Sequence, residues 1–143
     1  TAYEIRLSLV GSEMCIRDRD RIDILLNVPK VKNEELFSEE KAETSHEVAK
    51  RVQLARNIQL ERFKGSDFIA NSDMHQNEIK KYIELSEPVK RILKMAVERM
   101  NLSARSYFRV LKVSRTIADL VGADNIDESH VAEALSYRVE IGG

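Results

Sequence analysis

The sequence predicts a mainly α-helical domain preceded by a single β-strand, and three observations carry that prediction. The stretch from Leu102 to Tyr137 has complete helix grammar at both ends. Val89, Ile92, Leu93, Ala96, Val97 and Met100 keep i, i+3, i+4, i+7 spacing without a gap. Period-two alternation, the mark of a strand, runs over Ile22–Val28.

In that first segment Ile22, Ile24, Leu26 and Val28 alternate with Asp23, Leu25 and Asn27, and Pro29 ends the pattern. A lone strand leaves its backbone groups unpaired, so residues 20–32 read as one strand of a sheet whose other strands lie outside this sequence. Residues 33–65 then form an acidic loop, NEELFSEEKAE, and a helix opened by the capping box Thr44-Ser45-His46-Glu47. That helix runs to about Phe63 and stops at Lys64-Gly65. Val48, Val52, Ala55 and Phe63 are its expected inner face, while Lys50, Arg51, Arg56 and Arg62 spread around the others, as in a linker helix laid across another surface.

Residues 66–143 make the rest of the domain. Asn71 or Ser72 can start a short helix ending near Ile83, and Ser86 with Pro88 in the first turn starts a core helix. Ser103 caps a helix expected from Ala104 to Val121, with Gly122 as its stop. Tyr107, Val110, Leu111, Ser114, Ile117, Ala118 and Val121 form a wide inner arc on it. Arg105, Arg109 and Lys112 line one narrow polar stripe, with Thr116 beneath them. Taken alone, such a stripe is the solvated edge that a buried helix needs. Asp127 caps a last helix, Glu128–Arg138, with Val131, Ala134 and Leu135 facing inward.

Composition limits the function classes. The 143 residues are enough for one domain with a core. Lys plus Arg is 23 against 24 for Asp plus Glu, so no global basic field argues for nucleic acid, and any phosphate contact must come from local arrangement. No apolar run reaches membrane-spanning length, which predicts a soluble, cytoplasmic protein without a membrane partner. The single Cys15 excludes an internal disulfide framework. His46, His75 and His130 are far apart and form no metal-binding pattern, so no metal ligand is expected. Each reads as an exposed or helix-end histidine. The sequence contains no GxxxxGK[ST], so this stretch by itself is not expected to cradle ATP phosphates.

The first nineteen residues differ in character. LSLVGSEMCIRDR is similar to a peptide produced when sequencing-adapter DNA is translated at the end of an assembled read. Residues 1–19 are therefore set aside as non-native, and Cys15 with them.

LSARSYFRVLKVSRTIADL and DESHVAEALSYR resemble the C-terminal helical region of the magnesium-chelatase-like AAA+ ATPases, in the ComM/YifB competence-protein branch. ARNIQLERF and the NSDM turn fit the same family, and the likeness extends over almost everything from Asp20 onward. The resemblance implies that residues 66–143 are the four-to-five-helix lid of an AAA+ module, joined by a linker helix to the last strand of an α/β nucleotide-binding core. DRIDI then places Arg21 as an arginine finger acting in trans on ATP held by the neighbouring subunit; read without the family, Arg21 is simply paired with Asp20 or Asp23. The expected GPLL before this motif is absent. S-A-R-S-Y places Arg105 as the sensor-2 residue that touches the γ-phosphate in cis. Arg109 and Lys112 remain either support or intersubunit contacts, or an ordinary solvated edge.

ATP and Mg²⁺ are the implied cofactors of the full-length protein. Its partners would be its own N-terminal AAA+ core, neighbouring subunits of a homo-hexamer, and DNA, in an ATP-driven motor for branch migration during natural transformation and recombination. A magnesium chelatase motor subunit and a helical interaction module without a nucleotide role are the alternatives.

Overall fold

In the computed structural model, residues 22–26, 28 and 43–138 are described. The adapter-like segment 1–19, Arg21 and most of the acidic loop lie outside them. Five α-helices follow one another among the described residues: α1 Ser45–Arg62, α2 Gln76–Tyr82, α3 Glu87–Met100, α4 Ala104–Leu120 and α5 Glu128–Ser136. A 3₁₀ turn, Asn71–Asp73, lies between α1 and α2.

Helix α4 is the axis of the packing. It touches α1, α2, α5 and the 3₁₀ turn, while α3 reaches the domain by packing on α5. The core gathers Phe63, Met74, Ile79, Val89, Leu93, Val110, Leu111, Ala118 and Val131. Phe63, at the end of α1, lies edge-on to Tyr82 and to Phe68, with ring centroids 5.2 and 6.1 Å away. This aromatic contact anchors the linker helix.

The expected caps are present where a side chain can reach. The Thr44 hydroxyl accepts from the Glu47 N–H at 3.3 Å, and the Glu47 carboxylate accepts from the Thr44 N–H at 2.9 Å. Ser103 Oγ accepts from the Ser106 N–H at 3.1 Å. Ser86 occupies the N-cap of α3 in extended backbone, but its hydroxyl makes no capping bond, and Pro88 supplies the preset turn instead. Gly122 takes φ +70°, which allows the chain to turn out of α4. At α5 Asp127 accepts from the Ser129 and His130 N–H groups, and His130 Nδ1 accepts the Asp127 N–H at 3.1 Å. Asp127→Ala is expected to lower stability by about 0.5–2 kcal/mol and Asp127→Asn by much less. Urea unfolding of the two variants beside the parent checks this, and equal midpoints for all three would remove the cap from the account.

Four sequence expectations change. Residues 22–26 and 28 form no strand, because a strand needs a ladder partner and none lies beside them among the described residues. Instead the Leu25 N–H bonds to the Tyr137 carbonyl at 3.0 Å. Val48 and Val52 are exposed, since only the second half of α1 rests on the lid, through Ala55, Gln59 and Phe63. The single helix expected from Asn71 or Ser72 to Ile83 is two pieces. Asn71 turns inward to bond α4, and Met74 is extended at φ −59°, ψ 131°. Val121 is 67 % exposed because α4 ends one residue earlier.

Candidate functional site

The polar stripe of α4 separates two clefts. One, of about 330 Å³, is lined by His75, Arg105, Phe108, Arg109 and Lys112 over a floor that includes Met74 and Ile79. The other, of about 470 Å³ and mostly apolar, lies between α4, Tyr137 at the end of α5 and the segment carrying Asp23, Ile24 and Leu26; Arg109 and Lys112 line it too. The stripe thus borders both clefts.

Each cation of the stripe has a different situation. Arg105, in the first turn of α4, is exposed and forms no hydrogen bond or ion pair with another described residue. Its position beside the free N–H groups and positive dipole end of a long helix favours a bound anion. Arg109 is ion-paired with Asp23. Lys112 donates through Nζ to the Ser72 carbonyl at 2.8 Å. Partial burial lowers the Lys112 pKa, Asp23 opposes that shift and Arg109 adds to it. Arg105, Arg109 and Lys112 thus come together, two engaged and one open. Arg21 lies outside the described residues.

Beneath the stripe is a buried polar network that the sequence reading missed. Asp119, 1 % exposed, accepts from both ends of the Arg62 guanidinium, with the Nη1–Oδ2 distance 2.8 Å. It also accepts from Arg115 Nε at 3.0 Å and Nη2 at 2.8 Å, and from Asn71 Nδ2 at 2.8 Å. Arg115 is buried as well and donates onward to the Ala123 and Asp124 carbonyls at 2.6 and 2.8 Å. Those carbonyls lie just past the negative end of α4, so they help offset the charge of the buried Arg115. Asn71 also donates to Thr116 Oγ1 at 3.1 Å, and Thr116 donates to the Lys112 carbonyl at 2.9 Å. Burial would raise the Asp119 pKa, but hydrogen bonds from Arg62, Asn71 and Arg115 overcome it and hold the carboxyl below its usual range. The network fixes the end of the linker helix and the 3₁₀ turn to the back of the stripe. Its sequence signal was the i, i+4 pair Arg115 and Asp119, which falls between the stripe and the apolar arc at about 100° per residue.

Among the described residues no group of three or more His, Cys, Asp or Glu side chains is placed to hold a metal ion. No helix among them is long and apolar enough to cross a membrane.

The comparisons with known proteins agree with this architecture. The family model described as magnesium chelatase, subunit ChlI, C-terminal matches residues 42–138. The competence protein ComM of Haemophilus influenzae is 38 % identical over 123 residues, which are 85 % of this chain and 23 % of that protein. The uncharacterized protein YifB of Salmonella typhimurium is 38 % identical over 121 residues, covering 83 % of this chain and 23 % of YifB. YifB of Escherichia coli is 33 % identical over 121 residues, with the same two coverages. The chain thus spans about a quarter of the length of these relatives. It is mainly helical, as a helical lid of the AAA+ type is, and the match covers all five helices. The chain belongs to the magnesium-chelatase-like family, carrying its ChlI-type C-terminal domain, and within that family it is ComM/YifB-like.

Proposed function

We propose that these helices are the lid of a ComM-like ATP-driven motor, in which Arg105 reaches the γ-phosphate of ATP in cis and Arg21 reaches the ATP of the neighbouring subunit in trans. The observation that supports this best is Arg105 itself, exposed over a cleft lined by two further cations and free of hydrogen bonds and ion pairs with other described residues. Like charges gathered at one cleft repel one another, and a polyanion there relieves the repulsion. A terminal phosphate supplies the charge, and a planar guanidinium can meet two of its oxygens.

The nucleotide-binding core of the full-length protein would hold the remaining phosphates and Mg²⁺, and the subunits would form a homo-hexameric ring. The name of the Haemophilus relative, a competence protein, supports a role in natural transformation; in this reading DNA is the macromolecular substrate and branch migration during transformation and recombination the work done. A cytoplasmic location goes with that role. The family model's own description supports a second reading, a chelatase motor that drives Mg²⁺ into a porphyrin. The assay that separates the two is ATP turnover stimulated by branched DNA or by porphyrin and Mg²⁺.

Arg105→Ala in the full-length protein is expected to lower ATP turnover about 10²-fold, the scale for losing one preorganised charge donor to a transition state. Because Arg105 is exposed, the melting temperature should stay where it was. Unchanged turnover would remove Arg105 from the nucleotide site.

A further inference from the structure

Arg109 belongs to both clefts. It lines the cationic one with Arg105 and Lys112, and it lines the apolar one with Asp23, its ion-pair partner. The same carboxylate acts on a second cation of the stripe. Burial lowers the Lys112 pKa, and the charge of Asp23 is the strongest influence opposing that fall, ahead of Asp73. One internal anion therefore bears on two of the three cations that border the cationic cleft.

Asp23 pairs across 86 residues of chain, and the segment that delivers it is fixed through its backbone. The Leu25 N–H donates to the Tyr137 carbonyl at 3.0 Å, and the Ile22 carbonyl accepts from Arg138 Nη1 at 2.9 Å. Arg138 is itself moored to the first turn of α4, where its Nη2 donates to the buried Ser106 hydroxyl at 2.9 Å. The Asp23 side chain is 56 % exposed and that of Arg109 25 %. The carboxylate can thus leave Arg109 for water by side-chain rotation alone, while the backbone contacts on either side keep it at hand. A pair with one partner this exposed is weak, about two- to fivefold in an equilibrium constant.

We propose that Asp23 is a built-in competitor for the anion that the stripe takes: its pairing with Arg109 withholds that guanidinium from the cationic cleft, and a polyphosphate seated against Arg105 and Lys112 displaces it. This rests on the phosphate reading of the cleft given above and adds its regulation. While Asp23 is seated the cleft binds phosphate more weakly, and a bound polyphosphate gains Arg109 as a further donor. The effect is reciprocal: whatever weakens the Asp23–Arg109 pair strengthens anion binding by the same factor.

The test is calorimetric titration of the 143-residue chain with inorganic tripolyphosphate at low ionic strength, where charge contacts are least screened. Asp23→Asn should tighten binding about two- to fivefold, the strength of the pair it removes, and should melt with the parent because Asp23 is exposed. Removing a negative charge near a polyanion tightens binding by itself, and an Arg109→Gln background separates the two causes. There Asp23→Asn should leave the affinity unchanged. Arg105→Ala should weaken binding, which places the ligand in the cationic cleft. Equal tightening with and without Arg109, an Asp23→Asn affinity equal to the parent's, binding indifferent to Arg105→Ala, or no binding by parent and Asp23→Asn alike overturns the competition. If Arg105→Ala lowers ATP turnover in the full-length protein while Asp23→Asn leaves tripolyphosphate affinity as it was, only the competition fails. If Arg105→Ala leaves turnover at the parental level while Asp23→Asn still tightens tripolyphosphate through Arg109, only the nucleotide reading fails.

Discussion

Asp119→Ala is expected to be the most destabilising single change in the lid, at about 3–5 kcal/mol, because it strands the buried Arg115 guanidinium and the largely buried Arg62 guanidinium without their shared anion. Arg115 can still donate to the Ala123 and Asp124 carbonyls, whereas among the described residues Arg62 keeps only Asn71, to which it donates at 2.9 Å. The loss should therefore spread to the seat of the linker helix. Asp119→Asn preserves volume but removes the charge, so it should fall between the parent and the alanine variant.

The pH dependence gives the sign. The folded-state pKa of Asp119 is depressed, so its contribution is present above the unfolded-state value near about 3.9 and is lost as pH falls through the lower folded value. The stability gap between parent and Asp119→Asn should thus be constant from pH 8 to about pH 5 and close only in stronger acid. Urea unfolding of the 143-residue chain across that range measures it. A gap that closes between pH 8 and pH 6, or an alanine variant as stable as the parent, would show that Asp119 does not hold this network together.

How far the sequence could be read depended on the range of each interaction. Local signals came through: the Thr44–Glu47 box, the Ser103 cap, the Asp127 cap and the inner face of α3 are each set within a turn or two of chain. What failed depended on partners far away. Val48 and Val52 have the spacing of a buried stripe, but no pattern within α1 says where the lid surface beneath it ends. Asn71 is a good helix starter by type, yet its side chain bonds Asp119, 48 residues on, and the helix breaks into a 3₁₀ turn. Arg115 and Asp119 are charged, so polarity counts against burying them, and only the paired geometry reverses that.

The candidate site divided in the same way. The convergence of Arg105, Arg109 and Lys112 was legible from helical period, because all three lie on one stripe of one helix. The contacts of Arg109 to Asp23 and of Arg138 to Ile22 span 86 and 116 residues, beyond the reach of any local pattern.

Arg21→Ala in the full-length protein should have the largest effect on catalysis, a fall in ATP turnover on the order of 10³ to 10⁵, the range for arginines that meet charge developing on a transferring phosphoryl group. A fall of that size would not by itself show that Arg21 acts across a subunit boundary. Mixing does. If the proposed roles hold, each nucleotide site in a ring built from head-to-tail contacts would take Arg105 from its own subunit and Arg21 from the next. Arg21→Ala subunits retain an intact Arg105, and Arg105→Ala subunits retain an intact Arg21. A mixed ring therefore contains some boundaries at which both arginines are present, and two nearly inactive preparations should regain turnover when combined. Were Arg21 to serve its own subunit's ATP, no arrangement in the mixed ring would restore a complete site. Mixtures no more active than their components, in rings shown to exchange subunits, would place Arg21 in cis; an Arg21→Ala protein with parental turnover would remove it from the reaction.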